Sequence, residues 1–257
     1  MNPGEHDALN RAEEHHAWYI GLRDAIARVL SQPRFAPPPA PRVLDAGCGA
    51  GANLRLLDQL LAPSLLAGFD RSMEALALTR AKVPRARLWI DDVCAPAAAC
   101  APLDLVISMD VLAIPGIERA RPGVQRLVDQ LRPGGLLMVN VPSFEWLHSE
   151  HDVAVHTQQR YNAPAIGQLF EDVGLSVEIL TYRVCLLFPA VVLSRLTSLG
   201  TPRRPDIEAR SDLHQLPGRL QNAALLATLK VENRALAAGF RWPWGSSVFA
   251  VGRKPRT

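Results

Sequence analysis

The stretch Arg42-Val-Leu-Asp-Ala-Gly-Cys-Gly-Ala-Gly51 decides the fold of this 257-residue chain. Val43 and Leu44 form a short apolar run that is typical of a parallel strand buried on both faces. Asp45 ends this run, and three glycines follow at alternate positions: Gly47, Gly49 and Gly51. Glycines permit tight turns and close approach of the backbone to a ligand. The stretch therefore predicts a buried strand that turns into a helix around a nucleotide-like ligand.

The composition is that of a globular protein without a strong charge bias. Hydrophobic residues make up 48% and charged residues 21%, and the net charge of +3 does not point to nucleic acid. The cysteines form no C-x-x-C pair, which argues against a disulfide framework or a zinc site and suits a reducing cytoplasm. They are Cys48, Cys94, Cys100 and Cys185. Because no apolar run reaches the roughly 18 residues of a spanning helix, we expect a cytoplasmic protein, with peripheral membrane association left open.

Apolar runs and helical patterns alternate along most of the chain. After the first strand, further strands are predicted at Ser64 to Phe69, Ala86 to Ile90, Leu103 to Ser108, Leu136 to Val141, Leu175 to Tyr182 and Ser246 to Gly252. Strands that alternate with helices imply a parallel sheet with helices on both faces. We therefore predict an α/β fold with a seven-stranded, mostly parallel sheet.

Two segments lie outside this alternation. Residues 1–41 are predicted to hold a helix from about Glu13 to Leu30 and a proline-rich lead into the first strand. Residues 184–243 are predicted to be a helical cap, inserted between the core of residues 42–183 and the final strand and basic tail of residues 244–257. Apolar residues occupy several sides of the cap helix near Leu220 to Val231, so we expect most of its circumference to be covered.

The opening stretch resembles motif I of the class I S-adenosylmethionine (SAM) dependent methyltransferases, hydrophobic-Leu-Asp-x-Gly-x-Gly-x-Gly. The dinucleotide fingerprint of nicotinamide dehydrogenases spaces its glycines differently and is disfavoured. The resemblance implies the Rossmann-like fold of these enzymes and SAM as the cofactor. It also implies that the cofactor is bound by Asp45, Gly47, Cys48, Gly49, Gly51 and Asn53.

Acidic residues at two further strand ends match the same family. Gly68-Phe-Asp-Arg-Ser72 is similar to the family's G-x-D-x-S version, in which the carboxylate of Asp70 accepts hydrogen bonds from the ribose hydroxyls. Capping of the next helix is a compatible second role for this acid. The resemblance implies that Arg71 and Met73 lie near the adenine. At the third strand end, Asp92 with Val93 is the implied adenine site, and Asp91 is the competing acid.

The fourth strand runs into Ser108-Met-Asp110, which is similar to motif IV. The resemblance places Met109 and its neighbours beside the methionine moiety and the acceptor. Many relatives continue with Glu-His, but this chain has Ala113 and Ile114, so no base is implied there.

Two outer stretches resemble a subset of these enzymes that genomic context links to lipid and glycan pathways. Residues 14–23 are similar to its H-W-W-x-x-x-R opening. Residues 141–161 are similar to its V-P-x-x-x-W-L-x-S-x-x-D…H-x-x-R-R-Y stretch, with Gln159 in place of an arginine.

The second of these stretches holds the predicted catalytic residues. Methyl transfer requires positioning of two reactants and, for a hydroxyl or protonated amine, removal of a proton. His151 and His156 are candidate bases, Arg160 is a candidate partner for an anionic acceptor, and Tyr161 is predicted to line the pocket or hold the base. The alternatives are that the histidines anchor the loop, or that His151, Asp152 and His156 bind a metal; we expect no metal.

These observations favour a SAM-dependent methyltransferase that acts on a small-molecule or lipid-like acceptor, most readily at oxygen. The apolar segment Val184 to Leu193 is either a wall of the acceptor pocket or a face for a membrane. One alternative is a SAM-binding enzyme of another type, a cyclase or decarboxylase. A second is a non-catalytic subunit with this fold. No nucleic acid is expected as partner, because base-methylation motifs and a basic stripe are absent from the sequence.

Overall fold

The computed structural model describes residues 5–97, 102–198 and 217–256. Its centre is a seven-stranded sheet in the order β3-β2-β1-β4-β5-β7-β6. The strands are β1 (Arg42–Ala46), β2 (Leu65–Asp70), β3 (Arg87–Ile90), β4 (Leu103–Met109), β5 (Leu131–Pro142), β6 (Ser176–Arg183) and β7 (Ser247–Arg253). Strands β1 to β5 pair in parallel, and β7 is antiparallel to both β5 and β6. The predicted mostly parallel, seven-stranded sheet is confirmed.

Helices cover both faces of this sheet. They are α1 (Glu5–His15), α2 (Ala17–Leu30), α3 (Ala52–Leu61), α4 (Met73–Lys82), α5 (Ile117–Gln130), α6 (Glu150–Ala154), α7 (Ala163–Asp172), α8 (Phe188–Ser198) and α9 (Arg219–Ala237). One hydrophobic core contains apolar residues of α5 and α7, and the other contains those of α2, α3 and the end of α9. The sheet is therefore buried on both sides, as its apolar strands require.

The amino-terminal helix differs from its predicted form. The structure has two helices, and the break falls at His16, whose extended backbone and Nδ1 atom cap α2 by accepting a hydrogen bond from the Trp18 N–H. The histidine thus ends one helix and begins the next. The segment after β5, predicted as a loop, contains a 3-10 turn (Glu145–Leu147) and the short α6.

Helix α9 is covered on one face only. Leu229, Glu232, Asn233 and Leu236 are its buried residues, and Asn233 donates hydrogen bonds to the Gly21 carbonyl and to Asp24 of α2. Leu220 is 89% exposed and Val231 is 51% exposed. The expectation that most of this helix would be covered is therefore wrong for its described residues, because two of the apolar side chains on which it rested are exposed.

The order of the strands fixes the position of the site. The chain runs outward from β1 to β3 on one side of the sheet and from β4 onward on the other, so β1 and β4 are neighbours at a topological switch point. Ligands of open α/β sheets bind in the crevice at the carboxyl ends of the strands beside such a point. The glycine loop after β1 and the residues after β4 meet there.

Candidate active site

The glycine loop between β1 and α3 is held close to its neighbours. The backbone N–H groups of Gly47 and Cys48 both donate to the Phe69 carbonyl at 2.9 Å. Gly47 has φ +87°, and a Cβ atom there would overlap the side chain of Val111. Gly51 has φ +88°, and a Cβ atom there would lie 2.8 Å from Thr79 Oγ1. The loop therefore needs glycine both for its backbone conformation and for its close contacts.

Asp70 lies at the end of β2 and faces this loop. Its Oδ2 atom accepts from the Gly49 N–H at 3.0 Å, and its Oδ1 atom accepts from the Ser72 N–H at 2.9 Å. These two bonds fix the plane of the carboxylate and leave each oxygen able to accept again. Asp70 is thereby oriented to receive a pair of hydroxyl groups.

A second acid lies beneath the loop without a partner. Asp45 is fully buried, and both carboxylate oxygens lack a hydrogen-bond partner among the described residues. Burial, with smaller contributions from the charges of Glu13 and Asp70, raises the pKa of Asp45 well above its usual value. An unpartnered buried acid beside two other acids favours the binding of a cationic group nearby.

Glu13 completes this acidic cluster from α1. Its Oε2 atom accepts from the Ala52 N–H at 3.2 Å, at the start of α3, and from Lys82 Nζ at 3.3 Å. Burial raises the pKa of Glu13, although Lys82 opposes the rise. Glu13 was not among the predicted site residues. It directly precedes the aromatic and arginine-containing opening of residues 14–23, but only the tertiary contact of α1 with the loop identifies it.

The two candidate adenine acids differ in their hydrogen bonds. Asp91 accepts from the Asp92 N–H, from Trp89 Nε1 at 2.9 Å and from the Ala97 N–H at 2.8 Å, so both of its oxygens are engaged. Asp92 accepts from the Cys94 N–H through Oδ1, and its Oδ2 lies 3.6 Å from Nε of the exposed Arg71. This difference favours Asp92 as the acid available to a ligand.

Asp110 is a polar residue of the cavity that was not singled out as catalytic or cofactor-binding. It follows β4 with a left-handed backbone, φ +62°. Its Oδ1 atom accepts from Asn140 Nδ2 at 2.8 Å, and its N–H donates to the Asn140 carbonyl at 2.7 Å. Burial raises the pKa of Asp110 to about 7, although the Asn140 hydrogen bond and the charges of Arg183 and Arg160 oppose the rise.

Arg160, predicted to bind an anionic acceptor, is engaged within the protein. Its Nε and Nη2 atoms donate to the two oxygens of Asp152, each at 3.0 Å, and Nη1 donates to the Ser143 carbonyl at 3.1 Å. Asp152 also accepts from the N–H and hydroxyl of Ser149. Burial alone would raise the pKa of Asp152, but Arg160 and Ser149 hold it below its usual value. The pair anchors the segment between β5 and α7.

The other predicted catalytic residues lie in the same segment. Tyr161 is buried; its hydroxyl accepts from the Ile117 N–H and donates to Gln159 Oε1, which gives the glutamine a structural role. Burial raises the pKa of this tyrosine to about 12. His156 is exposed and lines the cavity. His151 lies in α6, but its side chain is outside the described part of the structure. Among the described residues, no group of three or more potential ligands could hold a metal.

These groups surround one cavity of about 1030 Å³. Predicted site residues in its wall are Gly47, Cys48, Gly49, Asn53, Asp70, Arg71, Asp92, Val93, Met109, His156 and Arg160. Asp45 lies beneath the wall, Gly51 caps α3, and the Met73 side chain is 67% exposed on the first turn of α4. Ligand pockets commonly measure about 300–1,000 Å³, so this cavity has room for a nucleoside-sized ligand and a second molecule.

Other parts of the chain line the rest of the cavity with apolar residues and with polar ones, among them Asp152, His156, Gln158 and Arg160. Helix α2 and its cap contribute His16, Trp18, Tyr19, Leu22 and Arg23. The segments after β4 and β5 and helix α8 contribute Ile114, Pro115, Leu147, Val155 and Val191. Burial lowers the pKa of Arg23, and its Nη2 donates to the Glu13 carbonyl. The cavity thus joins an acidic, polar half beside the glycine loop to a more apolar half.

Comparisons with known proteins agree with this geometry. Residues 43–135 match the family described as "Methyltransferase domain". Trans-aconitate 2-methyltransferase from Variovorax paradoxus is 34% identical over 110 residues, which are 42% of this chain and 41% of that protein. The chain thus matches about two fifths of that relative's length.

Solved structures show the same fold over a longer stretch. An S-adenosylmethionine dependent methyltransferase from Mesorhizobium loti superposes with a TM-score of 0.58 at 15% identity, covering 92% of this chain and 97% of that one. Magnesium protoporphyrin IX methyltransferase from Synechocystis, solved with bound S-adenosylhomocysteine (SAH), superposes with a TM-score of 0.54 at 20% identity, covering 70% and 88%. Residues 43–135 thus match the methyltransferase domain family, and the chain shares its fold with solved SAM-dependent methyltransferases.

Proposed function

We propose that this protein transfers a methyl group from SAM to an oxygen atom of a small-molecule or lipid-like acceptor. The observation that carries the proposal is the single cavity in which the glycine loop, Asp70 and Asp92 adjoin an apolar chamber. SAM supplies an electrophilic methyl group on a positively charged sulfonium. What remains for the protein is to bind two molecules, align them and exclude water.

The residues present fit SAM. In this proposal Asp70, whose oxygens can each accept a further hydrogen bond, binds the two ribose hydroxyls, and Asp92 with Val93 binds the adenine. Glu13 and the unpartnered Asp45 are acids near the glycine loop whose pKa values are raised by burial, and a cofactor that carries an ammonium and a sulfonium would favour their ionised forms. Arg23 supplies a positive charge from α2 for a carboxylate of the cofactor or of the acceptor.

The acceptor half suggests a molecule with an apolar body. Leu147, Val155 and Val191 line this half, and Leu193 on α8 is 63% exposed, which extends the apolar surface outward. This surface is why lipid-like acceptors and peripheral membrane association belong to the proposal. No described helix is long and apolar enough to cross a membrane.

The need for a base depends on the acceptor. A carboxylate attacks without losing a proton, whereas a hydroxyl must lose one. We propose that His156, with His151 as the alternative, takes this proton. The roles that we propose for Arg160 and Tyr161 are to hold the segment that carries these histidines, because their polar atoms are engaged by Asp152, Ser143, Ile117 and Gln159. The relative named trans-aconitate 2-methyltransferase makes small carboxylic acids a first acceptor class to test.

Calorimetric titration with SAM and SAH tests the cofactor part of the proposal. Asp70→Asn keeps the size of the side chain but removes its charge, so we expect SAM affinity to fall about 10- to 100-fold, as for loss of one or two charged hydrogen bonds. Asp129→Asn, at an exposed position of α5, is the matched control and should bind as the wild type does. Folded wild-type protein that binds neither molecule would refute the proposal.

Mass spectrometry then tests the acceptor part. Panels of carboxylic acids, hydroxylated small molecules and lipids are incubated with SAM, and products heavier by one methyl group are sought. His156→Ala should slow transfer to hydroxyl acceptors about 100-fold or more and leave transfer to carboxylates nearly unchanged. Methylation confined to nitrogen or carbon would exclude the proposed oxygen acceptor.

A further inference from the structure

A chain of buried polar side chains leads from the cavity into the protein. Asp110 accepts a hydrogen bond from Asn140 Nδ2 at 2.8 Å, and Asn140 Oδ1 accepts from Arg183 Nη1 at 3.3 Å. Asn140 is completely buried, and Arg183, at the end of β6, is 2% exposed. The chain of side chains runs from the residue after β4, through β5, to the end of β6 on the far side of β7, and it connects a carboxylate of the site to a guanidinium in the interior.

Arg183 is unusual for a buried arginine. Its Nε and Nη2 atoms have no hydrogen-bond partner among the described residues. Burial lowers its pKa to about 10, and the acids Asp110, Glu232 and Asp24 oppose the fall. A buried charge with so few hydrogen bonds destabilises the fold, and an apolar residue of similar volume would often be tolerated better. A role in the site would account for its presence.

The other two acids near Arg183 are engaged elsewhere. Glu232 of α9 accepts from the Leu186 N–H at 2.6 Å. Asp24 of α2 accepts from Arg28 Nε at 2.8 Å and from Asn233 Nδ2 at 2.9 Å. Asp110 is therefore the acid that Arg183 reaches through a hydrogen-bonded intermediary.

Asp110 is also placed beside the glycine loop. It lines the cavity, and the next residue, Val111, is the one that a Cβ atom at Gly47 would overlap. Its left-handed backbone, an uncommon conformation outside glycine, directs the chain out of β4 at this point. An ionised Asp110 would therefore act on whatever charge the cofactor presents near Gly47.

We propose that Arg183 is a positioning residue that, through Asn140, holds the Asp110 carboxylate ionised and facing the sulfonium, so that the protein discriminates SAM from SAH. The inference rests on the proposed function, since it assumes that SAM binds in this cavity. SAM carries a positive sulfonium, and SAH carries an uncharged sulfur. A carboxylate near that sulfur favours the substrate over the product and so promotes release of SAH after transfer.

The discrimination depends on pH because Asp110 titrates near neutrality. The groups that face it are Asn140 on β5, Arg183 on β6 and Arg160 after α6, and the pKa that results is about 7. Above that value the carboxylate is ionised and SAM is preferred. Below it the carboxyl group is neutral and the preference is lost.

Calorimetric titration of SAM and SAH from about pH 5.5 to about pH 8.5 measures this effect as the ratio of their dissociation constants. In the wild type we expect the preference for SAM to increase about tenfold across this range, the size of a screened interaction between two charges several ångströms apart. Asp110→Asn should give a ratio that does not change with pH. Arg183→Met should move the increase to higher pH, and Arg183→Lys, which keeps the charge, should move it less.

A second measurement uses the wild-type protein only and guards against unfolded variants. Carbon-13 NMR of the Asp110 carboxyl group should show that saturating SAM lowers its pKa by about one unit, as a tenfold coupling requires, and that SAH lowers it less. If neither SAM nor SAH binds, the proposed function fails. If both bind but the ratio of their dissociation constants does not change with pH in the wild type, the role of Asp110 is overturned. If folded Arg183→Met matches the wild type, the role of Arg183 is overturned.

Discussion

Replacement of Arg160 by methionine tests whether this arginine anchors the segment after β5. The change removes three hydrogen bonds, two to Asp152 and one to the Ser143 carbonyl, and leaves a carboxylate that is 2% exposed in its side chain. Breaking a buried ion pair by removing one partner costs about 3–5 kcal/mol. We therefore expect Arg160→Met to lower the free energy of unfolding by that amount at neutral pH.

A double-mutant cycle separates the pair from its surroundings. Asp152→Asn alone should also destabilise the protein, because it leaves the guanidinium buried and short of a partner. The free energy of unfolding lost in the double variant should be smaller than the sum of the losses in the two single variants, with a coupling energy of about 2 kcal/mol. Urea unfolding followed by tryptophan fluorescence measures each value. Arg121→Met is the matched control; its ion pairs with Asp172 and Glu118 lie on the surface, and little change is expected.

The pH dependence gives an independent check. Because the pKa of Asp152 is held below its usual value in the folded protein, its contribution is present above the unfolded pKa and is lost as pH falls through the folded one. The gap between wild type and Arg160→Met should therefore narrow in acid. Two results together would refute the anchoring role: Arg160→Met loses no more free energy of unfolding than Arg121→Met, and it binds anionic acceptors more weakly. They would support the predicted contact of Arg160 with the acceptor.

Two further changes test Asp110 in the cavity wall and the packing of α5 behind Val93. The pKa of Asp110 is raised from 3.8 to about 7 in the folded protein, so its neutral form contributes stability that is lost as pH rises through 7. Asp110→Asn should therefore raise the free energy of unfolding by about 2–4 kcal/mol at pH 8 and change it little at pH 4. Equal unfolding curves for the variant and the wild type at pH 8 would contradict this. Gly123→Ala should destabilise the protein by about 3 kcal/mol or more and weaken SAM binding, because a Cβ atom there would overlap the Val93 carbonyl. Gly218→Ala, where no described residue lies within 4 Å of the added atom, is its control, and equal losses of stability in thermal unfolding would exclude the steric explanation.

The clustering of the glycine loop and the strand-end acids in one cavity could be predicted because its signals are local. The apolar run of β1, its three glycines and the acid that ends β2 each follow from the backbone geometry of a strand, a turn and a helix cap. Parallel order brings these strand ends to one edge of the sheet. Helix α5 contains Pro122 in its first half, and a proline interrupts the pattern by which a helix is recognised, so the start of this helix at Ile117 is hard to predict.

The remaining contacts join residues that are far apart in the chain. Asp110, Asn140 and Arg183 come from three strands, and no spacing in the sequence relates them. An arginine in a predicted ligand-binding loop is readily taken for an exposed ligand contact. Arg160 is instead buried against Asp152, which lies eight residues earlier. Glu13 reaches the start of α3 across 39 residues. Hydrophobic patterning locates the elements, but it does not rank the possible partners of a polar side chain.

The residues that line the cavity come from different parts of the chain. This explains why the methyl donor can be inferred from the sequence more readily than the methyl acceptor. The matched domain of residues 43–135 contains the glycine loop, Asp70, Asp92 and Asp110. The apolar half comes largely from outside it, from Trp18 before the domain and from Leu147 and Val191 after it. A substitution among these outer residues changes the shape offered to the acceptor while leaving the acids of the cofactor half in place. If the proposed function holds, changes of acceptor specificity can arise in these outer segments at little cost in SAM affinity, which makes them the residues to vary once a first acceptor is found.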